Sequence, residues 1–99
     1  MPDRTALRIG DEIRLLRVPR VDLDQRECEL REGAEDAGIT ADTIERIIRT
    51  NPVVVIDEID DRGFPWFSRR LKGPDGKFEF HSLAIMDDDS WERVPRRKD

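Results

Sequence analysis

Few residues in this chain have the chemistry of a catalyst. His81 is the single histidine and Cys28 the single thiol. A thiol beside an imidazole would make a nucleophile and its base, but no spacing links the two. Cys28 falls in a weakly helical acidic stretch, and His81 lies on a strand segment between Phe80 and Ser82. A general base needs a nucleophile or a second titrating group within reach, so His81 reads as a structural or rim residue. Asp87, Asp88 and Asp89 supply three carboxylates. Three consecutive acids cannot all face one ion from a regular element, and the alternating spacing and glycine of a calcium loop are absent. The triplet reads as a polar turn in which one aspartate caps the amide of Ser90 or Trp91. No catalytic set, metal site or cofactor is expected.

One further motif invites chemistry. In Val53-Val54-Val55-Ile56-Asp57-Glu58, apolar residues run into Asp-Glu, as in the second acidic motif of ATPases. That motif acts on a phosphate held by Gly-x-x-x-x-Gly-Lys-Ser/Thr. Gly73-Pro74-Asp75-Gly76-Lys77-Phe78 fails that pattern in spacing and in its last residue. The reading is a buried strand that enters an acidic turn.

The elements that must position these residues follow from periodicity. Gly10-Asp11 forms a turn, and Ile13 to Val18 a strand closed by Pro19. From Val21 to Ala37, Leu23, Leu30, Ala34 and Ala37 make one thin helical stripe, weakened by Gly33. A better helix spans Ala41–Thr50, with Thr40 as N-cap, an Ile39–Ile44 staple and a buried stripe of Ile44, Ile47 and Ile48. Asn51-Pro52 stops it. A β-branched strand then covers Val53–Ile59. Asp60-Asp61-Arg62-Gly63 turns into a strand over Phe64–Leu71, and residues 72–77 turn into another over Phe78–Ile85. Trp91–Val94 is a short last strand. Residues 1–8 read as a leader and 95–99 as a charged tail.

Composition limits the function classes. The chain has 99 residues, 36% hydrophobic and 41% charged, which fits one domain with a modest core. The net charge of −5 gives no general attraction to nucleic acid. No apolar run approaches bilayer length, no signal-like segment opens the chain, and Cys28 has no partner for a disulfide. A cytoplasmic protein is expected. Charge is uneven: residues 22–45 carry nine acids, Asp22, Asp24 and Glu27 among them, against Arg26 and Arg31. Arg69, Arg70, Lys72 and Lys77 flank the second hairpin turn.

Gly10-Asp11-x-Ile13-Arg14-Leu15, the strand and turn from Val55 to Gly63, and the polar turn before Trp91 together resemble a small bacterial Src-homology-3-like β-barrel of uncharacterised function. Gly63-x-Pro65-Trp66-Phe67 and Leu83–Trp91 add to the likeness. The resemblance implies a mainly β (α+β) fold over residues 9–94. It would be a five-stranded antiparallel barrel with an α-helical insert at 20–51 after the first strand. It implies a fold and no activity. With no tyrosine in the chain, the groove of proline-rich peptide binders is not matched.

All six aromatics lie in the last third: Phe64, Trp66, Phe67, Phe78, Phe80 and Trp91. Phe64 and Trp66 share a strand face, Phe67 takes the other, and Phe78 and Phe80 share one. The helical insert is expected to cover them; left open, they would form a partner-binding patch. The function expected is a non-enzymatic protein-interaction or accessory module. Its contacts would come from the acidic insert (Asp22, Asp24, Glu27) and the aromatic hairpin (Trp66, Phe67, Arg69, Arg70), with another protein as partner. Two alternatives are a small barrel that binds single-stranded nucleic acid through Arg69, Arg70, Lys72 and Lys77, and an acidic inhibitor or immunity-type protein whose carboxylates mimic a phosphate backbone.

Overall fold

The computed structural model describes residues 3–35 and 37–95. The charged tail from residue 96 onward and Asp36 lie outside the described residues. The chain runs β1 (Glu12–Leu15), α1 (Arg20–Arg31), α2 (Ile39–Thr50), β2 (Val53–Val55), β3 (Glu58–Ile59), β4 (Pro65–Lys72), β5 (Phe78–Ala84) and β6 (Trp91–Arg93). The strands form two antiparallel three-stranded sheets, ordered β2-β1-β6 and β3-β4-β5.

Gly10, at φ 96°, makes the turn into β1 that side chains disfavour. Strand alternation then sends Ile13 and Leu15 inward and leaves Leu16 exposed. Ahead of β1, Arg4–Ala6 form one 3-10 turn, Leu7 is buried, and the Arg4 guanidinium donates to the Ile85 carbonyl (3.1 Å).

The strand expected over residues 53–59 is broken in two. The Ile56 amide donates to the Asp11 carbonyl and its own carbonyl accepts from Gly10 (both 2.8 Å), while the Asp57 amide donates to the Trp66 carbonyl (3.0 Å). The chain thus leaves β1 and joins β4 within one residue. Ile56, fully buried, marks the crossing.

The expected closed barrel is not formed. β5 pairs only with β4 among the described residues, and β6 pairs with β1 through Leu15 and Trp91. Residues 85–90 pass between them without a ladder. The fold is α+β, with two packed sheets and two helices.

The helices differ in what holds them. α2 buries Ala41, Thr43, Ile44 and Ile47, so its isoleucine stripe is core as expected. Its start differs from the expectation. Gly38, at φ 74°, takes the N-cap position, and Glu29 Oε1 accepts its amide (3.0 Å). Thr40 therefore lies within the first turn, and Ile39 is exposed, so the staple is not made. α1 buries no residue. Its expected stripe fails because the helix ends at Arg31, before Ala34 and Ala37; Leu30 is exposed, and only Leu23 packs against the core. Arg26 holds α1 to α2 by reaching Asp42 (2.9 Å) and Glu45.

The core lies between the sheets and α2. Ile13, Leu15, Ile47, Val54, Ile56, Phe67, Leu71, Ile85 and Trp91 are among its residues, with Leu7, Val18, Ala41 and Ile44. Trp91 Nε1 donates to the Met86 carbonyl (2.7 Å), which satisfies the indole inside that core. As expected, one aspartate of the triplet caps the turn: Asp88 Oδ1 accepts from the Ser90 amide (2.9 Å).

Candidate functional site

The β4–β5 hairpin gives this molecule two unlike faces. The register pairs Trp66 with Ala84, Ser68 with Ser82, Arg70 with Phe80 and Lys72 with Phe78. Directly opposed residues share a face. Even-numbered residues of both strands therefore point one way, and odd-numbered residues point the other.

The odd-numbered face is covered. Phe67 is 2% exposed and Leu71 is buried beside it. α2 lies over this side: Arg46 donates to the Lys72 carbonyl (2.9 Å) and to Glu79 Oε1 (3.3 Å), and His81 Nε2 is 3.1 Å from that same oxygen. His81 and Arg46 hold the Glu79 carboxylate below its ordinary value. The single histidine is thus part of a clip between helix and strand. α1 packs on α2.

The even-numbered face is open. Phe78 is 66% exposed and Phe80 72%. The Arg70 guanidinium stands over the Phe78 ring, 5.6 Å from its centroid, in cation–π geometry. Trp66 closes one end of this face, half-buried, with Nε1 donating to Asp60 Oδ2 (2.9 Å). Asp60 Oδ1 accepts from the amides of Arg62 and Phe64 (both 2.9 Å). The Trp66 and Phe64 hydrogen bonds lower the Asp60 pKa, with a smaller one from Arg62. One carboxylate therefore shapes the 60–63 turn and fixes the indole.

The sequence-derived site residues scatter. Trp66 and Arg70 stand on the open face. Phe67, expected to contact a partner, is core instead, because its position has the inward parity. Arg69 also has that parity. It is half-buried and donates to the carbonyls of Asn51 (3.1 Å) and Val53 (2.8 Å), joining the second sheet to β2. Asp22, Asp24 and Glu27 lie on α1, which packs on α2. Asp24 pairs with Arg20 (3.2 Å) and Glu27 with Arg31 (3.4 Å). Burial and, less, repulsion from Asp88 raise the Asp22 pKa. Cys28 is exposed on α1, and the histidine clip does not include it.

Phe78 and Phe80, expected beneath the helical insert and so not among the expected contact residues, belong to the open face. Their signal was parity: Leu83 and Ile85 occupy inward positions, so residues 78 and 80 on the same strand must turn outward. The expectation that the helical insert covers these rings fails for the same reason, since α2 lies on the opposite face. Among the described residues, no group of three or more His, Cys, Asp or Glu side chains is placed to hold a metal ion. No helix of the described residues is long and apolar enough to cross a membrane. Comparison with known proteins finds no matching family, no matching curated relative and no matching solved structure.

Proposed function

We propose that this chain is a non-enzymatic docking module that holds another protein on the open face of β4–β5, centred on Phe78, Phe80 and Arg70. The supporting observation is two phenylalanines exposed to water beside an arginine for which, among the described residues, no salt bridge is formed. Burying such a ring in a partner is worth about 1.5–3 kcal/mol, and aromatic and arginine side chains dominate protein interfaces. The acidic α1 stands apart from this face and contributes charge that steers a basic partner. The test is crosslinking in extracts of the cells that make the protein, comparing the native chain with a Phe78→Ser/Phe80→Ser variant. A partner lost with the two rings is expected; a set of captured proteins identical for both chains overturns the reading.

The same face favours a second reading. Arg70, Lys72 and Lys77 beside two open rings are suited to stack and neutralise single-stranded nucleic acid. Arg69 does not belong to that set, because its guanidinium is held by backbone carbonyls. A gel shift at low salt, abolished by Phe80→Ser, would favour this reading; no shift at low salt removes it.

The strand order also supports a Src-homology-3-like kinship, in an open form. Counted as one strand bent at Ile56, residues 53–59 bring the total to five, and both helices fall between the first strand and the second. A lone exposed cysteine is consistent with the reducing cytoplasm as its compartment.

A further inference from the structure

We infer that the free edge of β5 takes up an extended segment of the partner as an added strand, with apolar side chains over Phe78 and Phe80 and lysine or arginine side chains in the acidic groove between β5 and α2. This rests on the docking reading above and specifies how the partner binds.

The edges of the two sheets are unequal. β2, β3 and β6 are two or three residues long, whereas β5 offers seven. Short edges, lysine, proline, bulges and inward-pointing charges are the usual protections against strand addition; the inward charge of β5, Glu79, is already held by Arg46 and His81. Phe78-Glu79-Phe80-His81-Ser82-Leu83-Ala84 has no lysine or proline.

Hydrogen-bond parity shows what that edge presents. The Gly73 amide donates to the Lys77 carbonyl (2.7 Å) and the Ile85 amide to the Pro65 carbonyl (2.9 Å). Antiparallel ladders alternate between bonded and non-bonded pairs, so the odd residues of β5 bond to β4. The amides and carbonyls of Phe78, Phe80, Ser82 and Ala84 therefore point away from β4, and among the described residues no strand pairs with that side. This is a four-residue template for backbone pairing.

The two flanks of the edge define the side chains of the guest. On the open face, alternate residues of an added strand would lie about 5 Å from Phe78 and Phe80, which favours apolar groups. The other residues would enter a groove of about 400 Å³ between β5 and α2, lined by Glu35, Ile39, Asp42, Arg46, Glu79 and His81. No residue of β4 lines it, so the groove opens on the free side of β5. Of its three carboxylates, Glu79 is held by Arg46 and His81 and Asp42 by Arg26 from the side, so three acids stand against two arginines and an imidazole, and among the described residues Glu35 makes no salt bridge. Charge complementarity favours a basic guest, in keeping with the net charge of −5.

The probe is a short fluorescein-tagged peptide of alternating lysine and valine, with a glutamate–valine peptide as comparator. Anisotropy measures affinity, and hydrogen exchange followed by NMR measures protection. The lysine–valine peptide should bind at least about tenfold more tightly than its comparator and slow exchange at Phe78, Phe80, Ser82 and Ala84. Ser82→Pro removes one outward amide at a position where an edge strand accepts proline, and should weaken binding about tenfold. N-methylation of alternate peptide amides should do the same with no change to the protein. Equal affinity for the two peptides, binding without protection of those amides, or protection that arises from β5 pairing with a second copy of this chain overturns the inference. Loss of binding with Phe78→Ser/Phe80→Ser but not with Ser82→Pro or the N-methylated peptide overturns edge pairing and leaves the docking face standing. Binding unaffected by the two ring substitutions overturns both.

Discussion

The two faces of the β4–β5 hairpin are made from the same strands, yet one is core and the other meets water. Phe67 and Phe80 differ in exposure from 2% to 72%. Residue type does not separate them; parity does. Likewise Arg69 and Arg70 are neighbours in sequence. One joins two sheets through backbone carbonyls, and the other lies along an exposed ring. In a strand, chemical role is set by which side the helices occupy, and that side is fixed by contacts elsewhere in the chain.

The contrast can be broken by substitution. Phe67→Ala should destabilise the fold by about 3–5 kcal/mol, against about 0.5 kcal/mol or less for Phe80→Ala. Urea denaturation followed by circular dichroism measures both, and equal losses would dissolve the distinction. The arginines sharpen it at smaller scale. Arg69→Ala leaves two backbone carbonyls without their charged donor and should cost about 1–3 kcal/mol, while Arg70→Ala should leave the denaturation midpoint nearly unchanged and weaken partner binding.

The smallest effects are in pH. The Glu79 carboxyl is lowered from its ordinary value of 4.5 by His81 and Arg46. Its contribution is present above that value and lost as pH falls through the lowered one. Glu79→Gln should therefore flatten the loss of stability on acidification below about pH 4.5. Asp22 has the opposite sign. Its raised pKa means the folded state disfavours the carboxylate, so the penalty grows as pH rises through the raised value. Asp22→Asn should stabilise the protein slightly at neutral pH and give no gain well below pH 3.8. Stability measured against pH for both variants tests the two signs together.

Local elements were legible where a single signal decided them. Ile44 and Ile47 announced the core face of α2, and Asp60-Asp61-Arg62-Gly63 announced a hairpin turn. The aspartate triplet announced a capped turn, with the choice of Asp88 and Ser90 made by the structure. What failed depended on distant partners. Thr40 has the residue type of a cap, but Glu29, from the preceding helix, fixes the chain two residues earlier at Gly38. Leu30 and Ala34 looked like one stripe, but Gly33 follows the helix end between them. The break at Ile56 is invisible in a run of β-branched residues, because it records a change of partner from β1 to β4. The candidate site suffered most. Residue type points to Trp66 and Arg70, whereas Phe67 and Arg69 have the inward parity, and Phe78 and Phe80, expected under the helical insert, form the open patch instead.

The crossing at Ile56 bears on how the molecule comes apart. Since one continuous stretch of backbone belongs to both sheets and both sheets share one core, loss of order in one should weaken the other. Nature has placed a fluorophore in each: Trp91 in the first and Trp66 in the second. Their emission should change at one common midpoint, so that two optical reporters trace a single cooperative transition.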